Sequence, residues 1–325
     1  MKVVITGAWG FIGRRLARSL LEKGSLVGPS GRQEEIDSLT LFDAVVPPDA
    51  KPIDPRIEVV AGDIADKALV DSLIDRDDIS VFHLASVVSG GGEKDFDLAM
   101  RVNLDGGLHL FEALRAREGL PRIVFASSIA VFGGSAMPKT VGDLAKQTPQ
   151  TTYGITKAIC ELLINDFSRK GFLDGRSARL PTVIIRPGKP NAAASSFASG
   201  VFREPLNGEP CALPVEPSQV MPLLGYRSVV EGFIQLHEAE AEAIGDDRAV
   251  GLPALVVDVA EMIEALRRVA GDRPLGEITV EPDPFIQAIC ATWPVDISTE
   301  RADALGLPRE GSVDEIVEAY IEDYL

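Results

Sequence analysis

Val3-Val4-Ile5-Thr6-Gly7-Ala8-Trp9-Gly10-Phe11-Ile12-Gly13 joins a short β-branched run to a glycine turn and then to an amphipathic segment. From Phe11 to Lys23, Ile12, Leu16 and Leu20 fall on one helical face and Arg14, Arg15 and Arg18 on the other. A strand therefore runs through a tight turn into a helix. In that context Gly7, Gly10 and Gly13 carry weight, because residues without a Cβ let a diphosphate approach the N–H groups at the positive helix end. Gly13 also suits close packing of helix on sheet. The spacing is Gly-x-x-Gly-x-x-Gly, with Trp9 where the more familiar dinucleotide pattern has glycine.

Outward from this stretch, apolar runs alternate with amphipathic ones. Thr40–Asp43, Ile57–Val60, Val81–Leu84, Ile123–Phe125 and Thr182–Ile185 read as further strands, bounded by turn formers. Their continuous apolar character suits a parallel sheet covered on both faces, so the fold class is α/β, a doubly wound parallel Rossmann sheet. Residues 24–38 and 46–55 read as surface connections around the second strand. After Arg186-Pro187 the chain turns rich in Gly, Pro, Ala and Ser, which marks residues 188–225 as loop-rich and substrate-facing. Ser228, Asp258 and Ser312 each precede a glutamate by three residues, the sign of a capped helix start. The expected division is a dinucleotide-binding domain over 1–187, with segments returning near 226–252, and a smaller C-terminal substrate-binding lobe over 188–325.

Composition sets limits. A chain of 325 residues with 46% hydrophobic content accommodates one large α/β domain and an appended lobe. A net charge of −17 argues against nucleic acid and anionic membranes as partners. No apolar run is long enough to cross a bilayer. Cys160, Cys211 and Cys290 are scattered and odd in number, against a disulfide framework or zinc site and in keeping with a reducing cytoplasm.

Tyr153 and Lys157 share one helical face, and Ser128 closes the apolar run that begins at Arg122. A Tyr-x-x-x-Lys alone is common and says little. Behind a glycine loop it points to proton transfer through tyrosine. A free tyrosine, with a pKa of about 10, is a poor base, and a nearby ammonium favours its phenolate. Tyr153 would take a hydroxyl proton as hydride leaves the same carbon, and Ser128 would hold the reacting oxygen. Asp43, ending the second strand, suits ribose hydroxyls and repels a 2′-phosphate, which favours NAD over NADP. Asp63 reads equally as an adenine neighbour and as a helix cap.

These residues together resemble the extended short-chain dehydrogenases/reductases, the group that includes nucleotide-sugar epimerases and dehydratases. The resemblance rests on the glycine loop, Gly62-Asp63, Phe82-His-Leu-Ala85, Asn103-Leu-Asp-Gly106, Ser127-Ser128 with Val131-Phe-Gly133, Tyr153-x-x-x-Lys157 and Arg186-Pro187. It implies catalytic Ser128, Tyr153 and Lys157. It implies NAD contacts at Gly7, Trp9, Gly10, Phe11, Ile12, Gly13, Asp43, Asp63, Ile64, Leu84, Ala85, Asn103, Tyr153, Lys157 and Pro187. It further implies a homodimer through helices around 94–118 and 152–170. A narrower likeness lies in Arg186–Gly200, Arg203–Gly208, Val88-Ser-Gly90 and Leu162–Arg169, which is similar to the branch that oxidises the C2 hydroxyl of D-erythronate, a four-carbon sugar acid. Met221–Tyr226 and Gly90–Gly92 depart from that branch.

A small acid in so acidic a protein needs fixed cations. Lys189, Arg203 and Arg227 lie on the substrate side, with Ser89, Asn191 and Ser195 as hydroxyl partners, alongside Ser128 and Tyr153. Arg203 or Arg227 is the expected carboxylate ligand, and a surface ion pair with a neighbour such as Glu204 or Glu231 is the alternative for each. The competing activity is a nucleoside-diphosphate-sugar 4-epimerase that recycles tightly held NAD.

Overall fold

The computed structural model describes residues 1–48, 50, 52–190 and 193–325. Its strands used below are β1 (Lys2–Thr6), β2 (Ser38–Asp43), β3 (Ile57–Ala61), β4 (Ile79–His83), β5 (Arg122–Ser128), β6 (Asp174–Leu180), β7 (Thr182–Ile184), β8 (Val220–Gly225), β9 (Ala249–Gly251) and β10 (Leu255–Asp258). The principal helices are α1 (Phe11–Lys23), α2 (Gly106–Arg115), α3 (Thr152–Arg169), α4 (Phe197–Leu206), α5 (Tyr226–Glu238), α6 (Val259–Ala270) and α7 (Val313–Tyr324).

Seven strands form one sheet in the order β9-β6-β5-β4-β1-β2-β3, and every pairing is parallel. Alternate side chains along each strand face opposite helical layers. Val3 and Ile5 pack with Leu16 and Leu20 of α1 and Phe233 of α5, whereas Val4 packs with Phe111 of α2 and Ile164 of α3. Both faces are thus covered, which is why these strands carry continuous apolar runs. The chain winds from β1 out to β3, then returns to β4 on the other side of β1. The strand order therefore reverses between β1 and β4, and a crevice opens beyond their carboxyl ends.

A second core gathers Ile184, Phe202 of α4, Leu223 of β8, Met262 of α6 and Val317 of α7. There β8 pairs in parallel with β7 and antiparallel with β10. No helix among the described residues is long and apolar enough to cross a membrane. Cys160, Cys211 and Cys290 are buried free thiols.

Three local expectations need correction. Thr182–Ile184 is a strand, but it belongs to the small sheet. The sixth strand of the large sheet is β6, Asp174-Gly-Arg-Ser-Ala-Arg-Leu180, which has no apolar signature. It can be buried because Arg176 pairs with Asp174 (2.7 Å) and Arg179 with Glu161 (2.8 Å), so the charges are neutralised inside. Ser228 does not cap its helix: α5 starts from Gly225, where buried Tyr226 packs edge-on against Phe11. Finally, residues 25–35 form a small antiparallel hairpin, Ser25–Val27 with Gln33–Glu35. Asp258 and Ser312 do cap α6 and α7.

Candidate active site

The crevice between β1 and β4 is a cleft of about 780 Å³. Its floor is the glycine loop. Gly7 has φ of +70°, and a Cβ there would stand 2.8 Å from the Ala85 nitrogen, so only glycine fits. Gly10, Phe11, Ile12 and Gly13 line the cleft, as do Asp43, Asp63, Ile64, Leu84 and Ala85. The amino end of α1 has no acidic residue in its first turn and no side-chain cap, so its positive end stays open to an anion. The Trp9 indole N–H is buried without a protein partner. This cradle fits a dinucleotide.

At one end of the cleft the acidic groups are already engaged. Asp43 accepts hydrogen bonds from the Trp9 N–H (2.9 Å) and the Val45 N–H (3.2 Å). Asp63 accepts from the Ala65 N–H (2.9 Å) and pairs with Arg101, whose guanidinium holds that carboxyl below the usual carboxylate range. Arg101 lines the cleft, and no local pattern in the sequence distinguishes it from the other surface arginines.

Asn103 sits in a π-helical turn, Met100–Asp105, a local widening of the helix. Its Oδ1 accepts from the Val87 N–H (2.7 Å). Its Nδ2 donates to the Val87 carbonyl (3.0 Å) and Thr156 Oγ1 (3.3 Å). One side chain therefore ties the cleft wall after β4 to α3.

Ser128, Tyr153 and Lys157 converge at the other end, though none of the three lines the open cleft itself. Ser128 ends β5, and α3 brings Tyr153 alongside because Gly154 lets the helix approach closely. A Cβ at Gly154 would stand 2.1 Å from the Ala130 carbonyl oxygen. Thr151 caps the helix start by accepting from the Gly154 N–H (3.1 Å), and Glu93, from the short helix Ser89–Lys94, accepts from the Thr152 N–H (2.9 Å). Ser89 opens that short helix and makes none of these bonds itself.

Burial holds the Tyr153 phenol above its ordinary pKa, and a hydrogen bond with the Ser128 hydroxyl opposes the shift. The Lys157 ammonium donates to the Ala126 carbonyl (2.7 Å) and lies 5.4 Å from the Tyr153 ring centroid. Burial pushes its pKa down to about 8, against the pull of Cys160 and Glu161. The expected lowering of the tyrosine pKa is therefore not a property of the protein by itself. Glu161, one helical turn beyond Lys157, is buried against Ser127 and Arg179, a placement that its charge alone does not announce in the sequence.

The substrate-side candidates disperse. Arg227 is committed to Asp323 (2.8 Å) and Glu322 (2.8 Å), away from the cleft, so the expectation of a carboxylate ligand there is corrected. Arg203 is buried. It pairs with Glu204 (2.5 Å) and donates to the Arg186 carbonyl (2.8 Å), leaving it in a supporting position instead of on the cleft surface. Lys189 is exposed beyond the cleft lining, Pro187 and Ser195 are half-buried outside it, and Asn191 lies outside the described residues. The cation that does line this end is Arg186, beside Val87, Val88 and Val183.

Residues 3–251 match the NAD dependent epimerase/dehydratase family. The chain is 49% identical to a D-erythronate dehydrogenase of Cupriavidus necator over 99% of its own length and 98% of that protein's. It is 40% identical to a D-erythronate dehydrogenase of Haemophilus influenzae, covering 99% of each. A crystal structure named as the nucleoside-diphosphate-sugar epimerase from Agrobacterium tumefaciens superposes with a TM-score of 0.91 at 41% identity, covering 100% of this chain and 94% of that one.

Proposed function

The chain belongs to the NAD dependent epimerase/dehydratase family, and from that premise we propose that it oxidises the C2 hydroxyl of a small sugar acid, D-erythronate, to the 2-keto acid. The observation that carries this reading is the meeting of the Ser128 hydroxyl, the Tyr153 phenol and the Lys157 ammonium, outside the lining of a cleft whose floor is the glycine loop. The names of the two D-erythronate dehydrogenases support the choice of substrate.

NAD, when bound, supplies the acceptor for the hydride that leaves C2. Gly7, Gly10 and Gly13 would hold its diphosphate, Asp43 its ribose, and the pocket beside Asp63 and Ile64 its adenine. Tyr153, as phenolate, takes the proton from the C2 hydroxyl as the carbonyl forms. Ser128 donates to the reacting oxygen and fixes its position. Lys157, behind the tyrosine ring, favours the phenolate as its proton leaves. The enzyme acts as a homodimer through the helices bearing exposed Leu108, Ile155 and Leu162, in a cytoplasm reducing enough for its free thiols.

The name of the Agrobacterium relative favours a second reading, epimerisation of a nucleotide sugar. The deciding experiment follows NADH absorbance with purified protein, NAD and a panel of four- and five-carbon acids. Stoichiometric NADH with D-erythronate is the expected result. Interconversion of a nucleotide sugar without net NADH, and no response to any acid, would select the epimerase reading.

A further inference from the structure

Arg186 is held at both of its backbone groups. Its N–H donates to Ser199 Oγ (3.0 Å) and its carbonyl accepts from Arg203 Nη1 (2.8 Å), so α4 grips both of its backbone groups. Its guanidinium, by contrast, has no hydrogen-bond or ion-pair partner among the described residues, yet it lines the cleft. Most of the other arginines in this acidic chain are neutralised by a carboxylate, Arg227 by two. A second guanidinium, Arg203, stands near enough to push the Arg186 pKa down in addition to burial, and Glu204 offsets only one of the two charges. A half-buried, unpaired cation beside another cation is an unfavourable arrangement that a bound anion relieves.

Two anions could enter the cleft. A diphosphate already has the open amino end of α1 and the backbone donors of the glycine loop. Among the described residues no other unpaired cation lines the cleft for a small carboxylate: Arg227 and Arg203 are committed, Arg101 is paired with Asp63 at the opposite end, and the buried Lys157 ammonium donates to the Ala126 carbonyl outside the lining. We propose that Arg186 binds the carboxylate of the substrate, with Arg203 and Ser199 as positioning residues that fix its backbone. The assignment rests on the acid-dehydrogenase reading above. It also gives that reading a basis for selectivity: the site takes a free acid and discriminates against the neutral analogue.

The test compares Arg186→Gln and Arg186→Lys with the unaltered protein and with Arg227→Gln, whose cation is spent on α7. Measured are KM and kcat for D-erythronate and for its uncharged primary amide, the Kd for NADH, and the thermal midpoint as a check on folding. Loss of a charge-assisted contact predicts a rise in KM for the acid of roughly 10- to 100-fold in Arg186→Gln. A smaller rise is expected in Arg186→Lys, which keeps the charge but not the fork. The amide, the NADH Kd and Arg227→Gln should change less than about threefold. A KM for the acid that moves by less than about threefold in Arg186→Gln overturns the assignment. So does an NADH Kd that weakens by the same factor as KM, which would give Arg186 to the diphosphate. If the unaltered protein reduces NAD with no acid, the proposed function fails separately. Calorimetric titration of D-erythronate into the protein–NADH complex then decides Arg186 on its own: heat that the Arg186→Gln change abolishes sustains the site, and heat in both or neither removes it.

Discussion

The two ends of the cleft are built on opposite principles. At the Asp43–Asp63 end every acidic group is engaged within the protein, by the Trp9, Val45 and Ala65 N–H groups and by Arg101. At the Ser128–Arg186 end the protein leaves its polar groups short of partners. Burial keeps the Tyr153 proton in place, and among the described residues the Lys157 ammonium donates only to the Ala126 carbonyl and Arg186 has no counter-ion. A recognition end can be rigid and self-satisfied, since its ligand adds contacts without changing charge. On the proposed function the second is the chemical end, which needs groups whose protonation or pairing changes when substrate arrives.

The strongest way to break that comparison is Tyr153→Phe. If the chemical end works through this one phenol, kcat should fall by roughly 10³- to 10⁴-fold while the NADH Kd and the thermal midpoint hold, as read by stopped-flow absorbance and cofactor fluorescence. Retention of more than a tenth of the activity would place the base elsewhere.

The pH dependence sharpens the same point. Because burial raises the Tyr153 pKa, the phenolate fraction grows as pH rises, so kcat/KM for oxidation should climb by up to about tenfold per unit from neutrality. Reduction of the keto acid, which needs the protonated phenol, should run the other way. Lys157 loses its charge near a pKa of about 8, so the climb should flatten beyond that point as the pair titrates together. Equal profiles in both directions would contradict this assignment.

At the recognition end the expected change is smaller. Asp43→Asn keeps the acceptor for the Trp9 N–H but removes the charge. The KM for NAD should rise by about tenfold and the preference over NADP should shrink, with kcat nearly unchanged. A collapse of kcat would show that the two ends are coupled more tightly than their separate networks imply.

The smallest effect concerns stability. Burial depresses the pKa of His83 to about 3 and of His237 to about 4. The unfolded chain therefore binds more protons than the folded one below the ordinary histidine value. Stability contributed by keeping them neutral is full above about pH 6.5 and is lost as pH falls toward those depressed values, by at most about 1.4 kcal/mol per unit per histidine. Urea unfolding at pH 7 and pH 5 measures the slope. His237→Gln, which removes the contact to Ser80 (3.0 Å), should flatten it, and an unchanged slope would assign acid sensitivity to the carboxylates.

Gly7 to Gly13, Asp43 and Tyr153 with Lys157 were readable in the sequence because each pattern is local. A turn that excludes Cβ, a strand-end carboxylate and two side chains on one helical face leave their spacing in the chain. Strand β6 was not readable, because Arg176 and Arg179 look like surface residues until Asp174 and Glu161 fold in to neutralise them. The cations followed the same rule. In the sequence Arg186, Arg203 and Arg227 are equivalent charges near a Pro- and Gly-rich stretch. The folded chain brings Asp323 onto Arg227, selects the neighbouring Glu204 for Arg203 and, among the described residues, sets no carboxylate against Arg186. By itself the sequence determined the α/β class and the dinucleotide cradle, since both rest on short-range backbone sterics and periodicity. The tertiary structure decided which charges remain free for a ligand, because neutralisation depends on partners as much as 96 residues away.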